Sequence, residues 1–139
     1  MLEIYTDAAS KGNPGPSGIG FVIKQGKMRI EAYQYIGVSS NHEAEFQALL
    51  YLLDYCIENY PDQILSIRTD SKLVVDLIDK GTYKKEPFAS LVSQAIEKMD
   101  TFEHCFIKWV PEAQNKQADK LAKQALHSEN ESIKKFPSA

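Results

Sequence analysis

Two five-residue stretches, Leu2-Glu3-Ile4-Tyr5-Thr6 and Leu65-Ser66-Ile67-Arg68-Thr69, carry a strand pattern, and each runs into an aspartate, Asp7 and Asp70. Behind Asp70, the apolar residues Leu73, Val74, Leu77 and Ile78 recur at helical spacing, so this acid sits at a strand-to-helix edge. If the two strands are parallel neighbours, both carboxylates point into the crevice at the carboxyl ends of the sheet, where open α/β folds place ligands. Two acids held close together repel, and either one takes a proton or both share a cation.

The remaining pattern predicts a mixed α/β domain. Ala8–Gly18 is dense in Gly, Pro and Asn and reads as a loop rich in backbone amides. Residues 20–23 and 30–36 read as a hairpin around the turn at Lys24–Lys27. Ser40-Asn41-His42-Glu43 fits a capping box, and the stripe Phe46, Leu49, Leu50, Leu53 and Ile57 follows it as a helix. Pro61-Asp62-Gln63 turns the chain into the Asp70 strand. A helix through Leu91, Val92, Ala95, Ile96 and Met99 precedes a strand over Phe102–Val110. Asn115 is positioned to cap a last helix, whose Ala118, Leu121, Ala122, Ala125 and Leu126 form one face. From Ser128 the periodicity fails, so residues 1–127 are expected to form the domain and 128–139 a flexible tail.

Composition narrows the class. The chain has 139 residues, 43% hydrophobic and 25% charged, the values of one ordinary globular domain. No stretch reaches the length of a membrane span, and the start shows no export segment, so a cytoplasmic monomer is expected. Cys56 and Cys105 each lie in an apolar run and read as reduced thiols. A net charge of −3 argues against a chain that grips nucleic acid with its whole surface. A local patch can still serve, and Lys80–Phe88, with basic and aromatic residues interleaved, reads either as a solvated loop or as a phosphate contact.

Two further acids stand at element edges. Glu45 lies in the first turn of its helix, on the side shared by Leu49, Leu52 and Cys56. Asp119 stands near the start of the last helix, at the border of its apolar stripe. Taken alone, either could simply complement a helix dipole.

In order along the chain, Thr6-Asp7-Ala8-Ala9-Ser10-Lys11-Gly12-Asn13-Pro14-Gly15-Pro16, Asn41-His42-Glu43-Ala44-Glu45-Phe46, Thr69-Asp70-Ser71 and Asn115 through Ala118-Asp119-Lys120-Leu121-Ala122 resemble the motifs of type 1 ribonuclease H, in particular its short bacterial and archaeal members. The resemblance implies a ribonuclease H-like fold, a five-stranded mixed sheet flanked by helices. It implies catalytic, metal-binding carboxylates at Asp7, Glu45, Asp70 and Asp119, and contacts to an RNA–DNA hybrid at Ser10, Gly12, Asn13, Asn41 and Ser71. The implied activity is endonucleolytic hydrolysis of the RNA strand with two Mg²⁺ ions, Mn²⁺ being possible. All-oxygen acidic sites suit Mg²⁺, and a metal-activated water makes a side-chain nucleophile unnecessary.

The chain departs from the family pattern at three places: Ala8 follows the first aspartate where Gly is common, His42 replaces the second Asn of an Asn-Asn pair, and Glu112-Ala113 stand where short members carry Arg-Glu. A second reading is therefore a domain that keeps the fold and binds hybrid or protein without turnover.

Overall fold

The two Thr-Asp strands are parallel neighbours. The computed structural model describes residues 1–137. In it β1 (Leu2–Ser10) pairs with β4 (Leu65–Thr69) so that Leu2 faces Leu65 and Thr6 faces Thr69. β5 (Cys105–Trp109) continues the parallel part beyond β4, with Thr69 opposite Trp109. On the other side β2 (Gly15–Gln25) and β3 (Met28–Ser39) form the antiparallel hairpin. Both strands are longer than the apolar runs suggest, because the ladder continues through polar and glycine positions. The expected glycine-rich loop therefore shrinks to Lys11–Pro14.

The sheet has six strands, in the order β5-β4-β1-β2-β3-β6, which corrects the expected five. The last is β6 (Glu131–Pro137), antiparallel to β3, in the segment expected to be a tail. Its Ile133 and Phe136 are three apart and both exposed, at 50% and 36%, so the period-two signal of a half-buried strand is absent. What holds it is backbone pairing to the open edge of β3, with the Arg29 guanidinium 4.9 Å from the Phe136 ring centre. Residues 138 and 139, also assigned to the tail, lie outside the described residues.

The helices are α1 (Asn41–Asn59), α2 (Lys72–Lys80), α3 (Phe88–Met99) and α4 (Lys116–Ser128). Ser40 caps α1 by accepting from the Glu43 amide at 3.2 Å, as its sequence predicts. Phe21 and Ile23 of β2 join Ile4, Phe46, Leu49 and Ile67 in the core beneath α1, α2 and α3. Lys80–Phe88, the basic segment, is an exposed connection from the Gly81 end of α2 into α3. Among the described residues no helix is long and apolar enough to cross a membrane.

The opposite sheet face takes α4 through very close packing. A Cβ on Gly18 would stand 2.3 Å from the Ala122 carbonyl oxygen, and one on Gly20 would stand 2.9 Å from the Ala122 amide nitrogen. Glycine on the strand and Ala118, Ala122 and Ala125 on the helix therefore let the two backbones approach, and Asp119 rides on that contact. Asn115 makes no side-chain cap bond here; its Nδ2 donates instead to the Thr6 carbonyl at 2.8 Å, pinning the start of α4 beside Asp7. Gly18→Ala should cost about 1–3 kcal/mol through overpacking against the α4 backbone. Urea unfolding at constant slope checks this, and an unchanged midpoint would mean α4 gives way freely.

Candidate active site

Register brings the first two acids together. Because β1 and β4 run parallel with Thr6 opposite Thr69, Asp7 and Asp70 follow at the same level on neighbouring strands. Asp7 is only 7% exposed, and its Oδ1 accepts the Ala8 amide at 2.9 Å. An open pocket of about 440 Å³ is lined by Asp7, Ala8, Glu45, Asp70, Trp109, Glu112 and Asp119. All four predicted acids thus converge from β1, α1, the end of β4 and α4, and Glu112 adds a fifth carboxylate from the 3₁₀ turn Glu112–Gln114.

Burial, followed by the neighbouring Asp70 carboxylate, pushes the Asp7 carboxyl up to about 9, against the opposing pull of the Ala8 N–H. Asp70 is also raised, by burial first and by Glu45 and Glu112, while hydrogen bonds from the Asp7 and Asn115 side chains lower it. Without a cation the pair therefore keeps a proton at neutral pH.

The other two acids are held by neighbours. The Glu45 Oε2 accepts from the Ser71 hydroxyl at 2.6 Å and lies 3.3 Å from the His42 ring. The Asp119 Oδ2 is paired with the Lys123 ammonium at 2.9 Å. Among the described residues no three acid, histidine or thiol side chains form a closed coordination cluster. The donor chemistry nevertheless suits a hard divalent ion. Every donor is a carboxylate oxygen, and the buried pair needs either a proton or a cation.

The residues expected to touch a hybrid fall into two groups. Ser10, Gly12, Asn13 and Asn41 gather at the Lys11–Pro14 bend and the start of α1, where the Asn41 amide donates to the Asn13 side chain at 3.0 Å and Gly12 takes a positive φ of 99°. The Ser10 hydroxyl is 2.7 Å from that of Ser17. Ser71 faces inward instead, 5% exposed, capping α2 by accepting from the Val74 amide and orienting Glu45. Two site residues escaped the sequence pattern. Trp109, the only tryptophan in the sequence, donates its indole N–H to the Asp70 carbonyl at 3.1 Å, and the Lys72 ammonium lies 5.5 Å from its ring centre. Lys123 lies one helical turn beyond Asp119, a spacing that could have indicated the pair.

A mixed sheet with carboxylates gathered at the carboxyl ends of its central parallel strands defines an α/β protein of the ribonuclease H-like fold. A family described as "Reverse transcriptase-like" matches residues 5–125. The chain is 42% identical over 127 residues to the putative hydrolase EbsB of Enterococcus faecalis, covering 91% of this chain and 94% of that protein. The crystal structure of RNase H1 from Halobacterium salinarum superposes with a TM-score of 0.82 at 31% identity, covering 91% of this chain and 98% of that one. LC11-RNase H1 in complex with an RNA/DNA hybrid gives 0.75 at 30%, covering 93% and 99%. The chain spans 35% of the longer bifunctional protein Rv2228c of Mycobacterium tuberculosis. It belongs to the ribonuclease H family, whose members generally use divalent metal ions.

The raised Asp7 carboxyl sets a sign for stability. A group whose folded value lies above its unfolded value of 3.8 stabilises most below about pH 4, and that contribution is lost as pH rises toward about 9. In chelator, the melting temperature should therefore fall across this window. Asp7→Asn should remove the larger part of the slope and Asp70→Asn should make it shallower. Identical slopes in all three proteins would mean the two carboxylates do not share a buried site.

Proposed function

We propose that this chain is an endonuclease that hydrolyses the RNA strand of RNA–DNA hybrids, with Asp7, Glu45, Asp70 and Asp119 as its catalytic carboxylates and as the ligands of two Mg²⁺ ions, or of Mn²⁺ in their place. The observation that carries this reading is the convergence of four acids from four separate elements on one open pocket, in a chain similar to RNase H1 proteins along nearly its whole length. A cytoplasmic monomer is the accompanying reading. Both cysteines are free thiols, which suits a reducing compartment.

Divalent ions bound to these oxygens would supply the Lewis acidity that activates a water and neutralises the leaving oxygen. The rest falls to the chain. Asp7 and Asp70 would hold such an ion, and because burial and mutual repulsion favour a proton on Asp7, its binding near pH 7 would be linked to proton release. Ser71 keeps Glu45 aimed across the pocket mouth from the start of α2. Trp109 secures the backbone of Asp70 through its carbonyl. The Lys11–Pro14 bend, short of side-chain bulk and joined to α1 through Asn13 and Asn41, suits close approach to a wide, shallow minor groove with exposed 2′-hydroxyls. Duplex DNA lacks that hydroxyl.

One observation favours a second reading, a hybrid-binding domain without turnover: Glu112 lines the pocket and sets a further negative charge against a polyanion. Cleavage assays on hybrid, duplex RNA and duplex DNA with Mg²⁺ or Mn²⁺ separate the two. Metal-dependent scission of the RNA strand of the hybrid alone is expected, and tight binding without scission would establish the silent domain. Asp70→Asn should lower turnover by about 10²-fold or more. Ser71→Ala should lower it about 10–100-fold by loosening Glu45, and should also cost about 1 kcal/mol as a lost helix cap. Glu112→Arg should raise cleavage, most strongly at low salt, where a lone charge acts over the longest range. If neither binding nor turnover responds to Glu112→Arg, the Pro111–Gln114 loop does not reach the substrate.

A further inference from the structure

Glu112 joins four other carboxylates in lining the pocket, and positive charge beside them comes from another element. The α4 helix provides it. Lys123 lies one turn beyond Asp119, and its Nζ stands 2.9 Å from Asp119 Oδ2 with more than half of the side chain exposed. Asp119 itself lines the pocket, so the ammonium paired with it stands at the α4 side of that pocket. An exposed lysine pair of this kind contributes little to stability, and the side chain keeps enough freedom to change partners.

We propose that Lys123 is the phosphate-contacting cation of the site, resting on Asp119 in the free protein and turning to a phosphate oxygen of the hybrid once Asp119 engages a divalent ion. This inference rests on the ribonuclease reading. Lysine suits such an exchange because its compact charge sits on a flexible stem with three donors, so it pairs with one oxygen of a carboxylate or of a phosphate without a fixed fork geometry. The switch also removes an obstacle. While the ammonium holds Oδ2, it competes with any ion for the same lone pairs, and its release places positive charge against the backbone that Glu112 repels.

Two measurements test it on the full chain with Lys123→Gln and Lys123→Arg. The first is the Mg²⁺ midpoint, read from melting temperature against Mg²⁺ concentration without nucleic acid. Lys123→Gln should lower the midpoint two- to tenfold because the competing ammonium is gone, whereas Lys123→Arg should leave it near the parent value. The second is the salt dependence of hybrid binding in Mg²⁺, with every protein carrying Asp70→Asn so that the hybrid persists. Loss of one phosphate contact should reduce the slope of log affinity against log salt by about one unit in Lys123→Gln, and arginine should restore it. A slope unchanged in Lys123→Gln overturns the proposal, as does an unchanged metal midpoint. A parent protein that neither cleaves hybrid nor shifts its melting temperature with Mg²⁺ overturns the ribonuclease reading itself, whatever Lys123 does. Because Lys123 is exposed, equal melting temperatures in chelator will show that both variants fold.

Discussion

The parallel pairing of β1 with β4 is the constraint on which the rest of the molecule depends. Its register, Thr6 opposite Thr69, brings two aspartates to the same level just past the end of the parallel ladder. Side by side and mostly buried, the pair cannot stay fully ionised without a counter-charge. The fold thus stores an unfavourable arrangement that a proton relieves in the metal-free state and that a cation could relieve in use. Local rules are broken where chemistry is expected, and the surrounding packing holds the pair in place.

That packing works from both sides of the sheet. On one face the core beneath α1 fixes the helix that carries Glu45, and the capped start of α2 supplies the Ser71 hydroxyl that aims it. On the other face, glycine at 18 and 20 brings α4 so close that its backbone nearly touches β2, and the Asn115 amide ties its first turn to Thr6. Asp119 is therefore located by main-chain contacts, which yield less than side chains do. One carboxylate from each face meets the central pair at the strand ends.

Positive charge stands beside the acidic pocket even though the chain carries a net −3. Five carboxylates line the pocket, and Lys123, Lys72 and His42 stand among their neighbours. A uniformly basic surface would grip nucleic acid more tightly. Here Lys123 pairs with Asp119 and Lys72 lies over the Trp109 ring, so positive charge at the pocket is held by individual contacts.

Much of this was legible in the residues. The two Thr-Asp strand segments, the cap at Ser40 and the stripe on α4 are local signals that short-range backbone and periodicity rules suffice to read, although β1 runs on past Asp7 to Ser10. The order of the four acid-bearing motifs carried the resemblance to the family that the fold and its relatives then confirmed. Other features needed the fold. β6 has no period-two alternation because its stability comes from the edge of β3, a partner about 100 residues away in sequence. Asn115 looked like a cap, yet its amide serves β1, since a side chain's hydrogen bond goes to whichever carbonyl the packing brings near. Ser71, Trp109 and Lys123 acquire their places at the pocket only through contacts between elements. Sequence by itself determined which residues could be acids at element edges; tertiary structure decided that they share one pocket and which neighbours hold them, because register and helix packing are long-range contacts that no local pattern encodes.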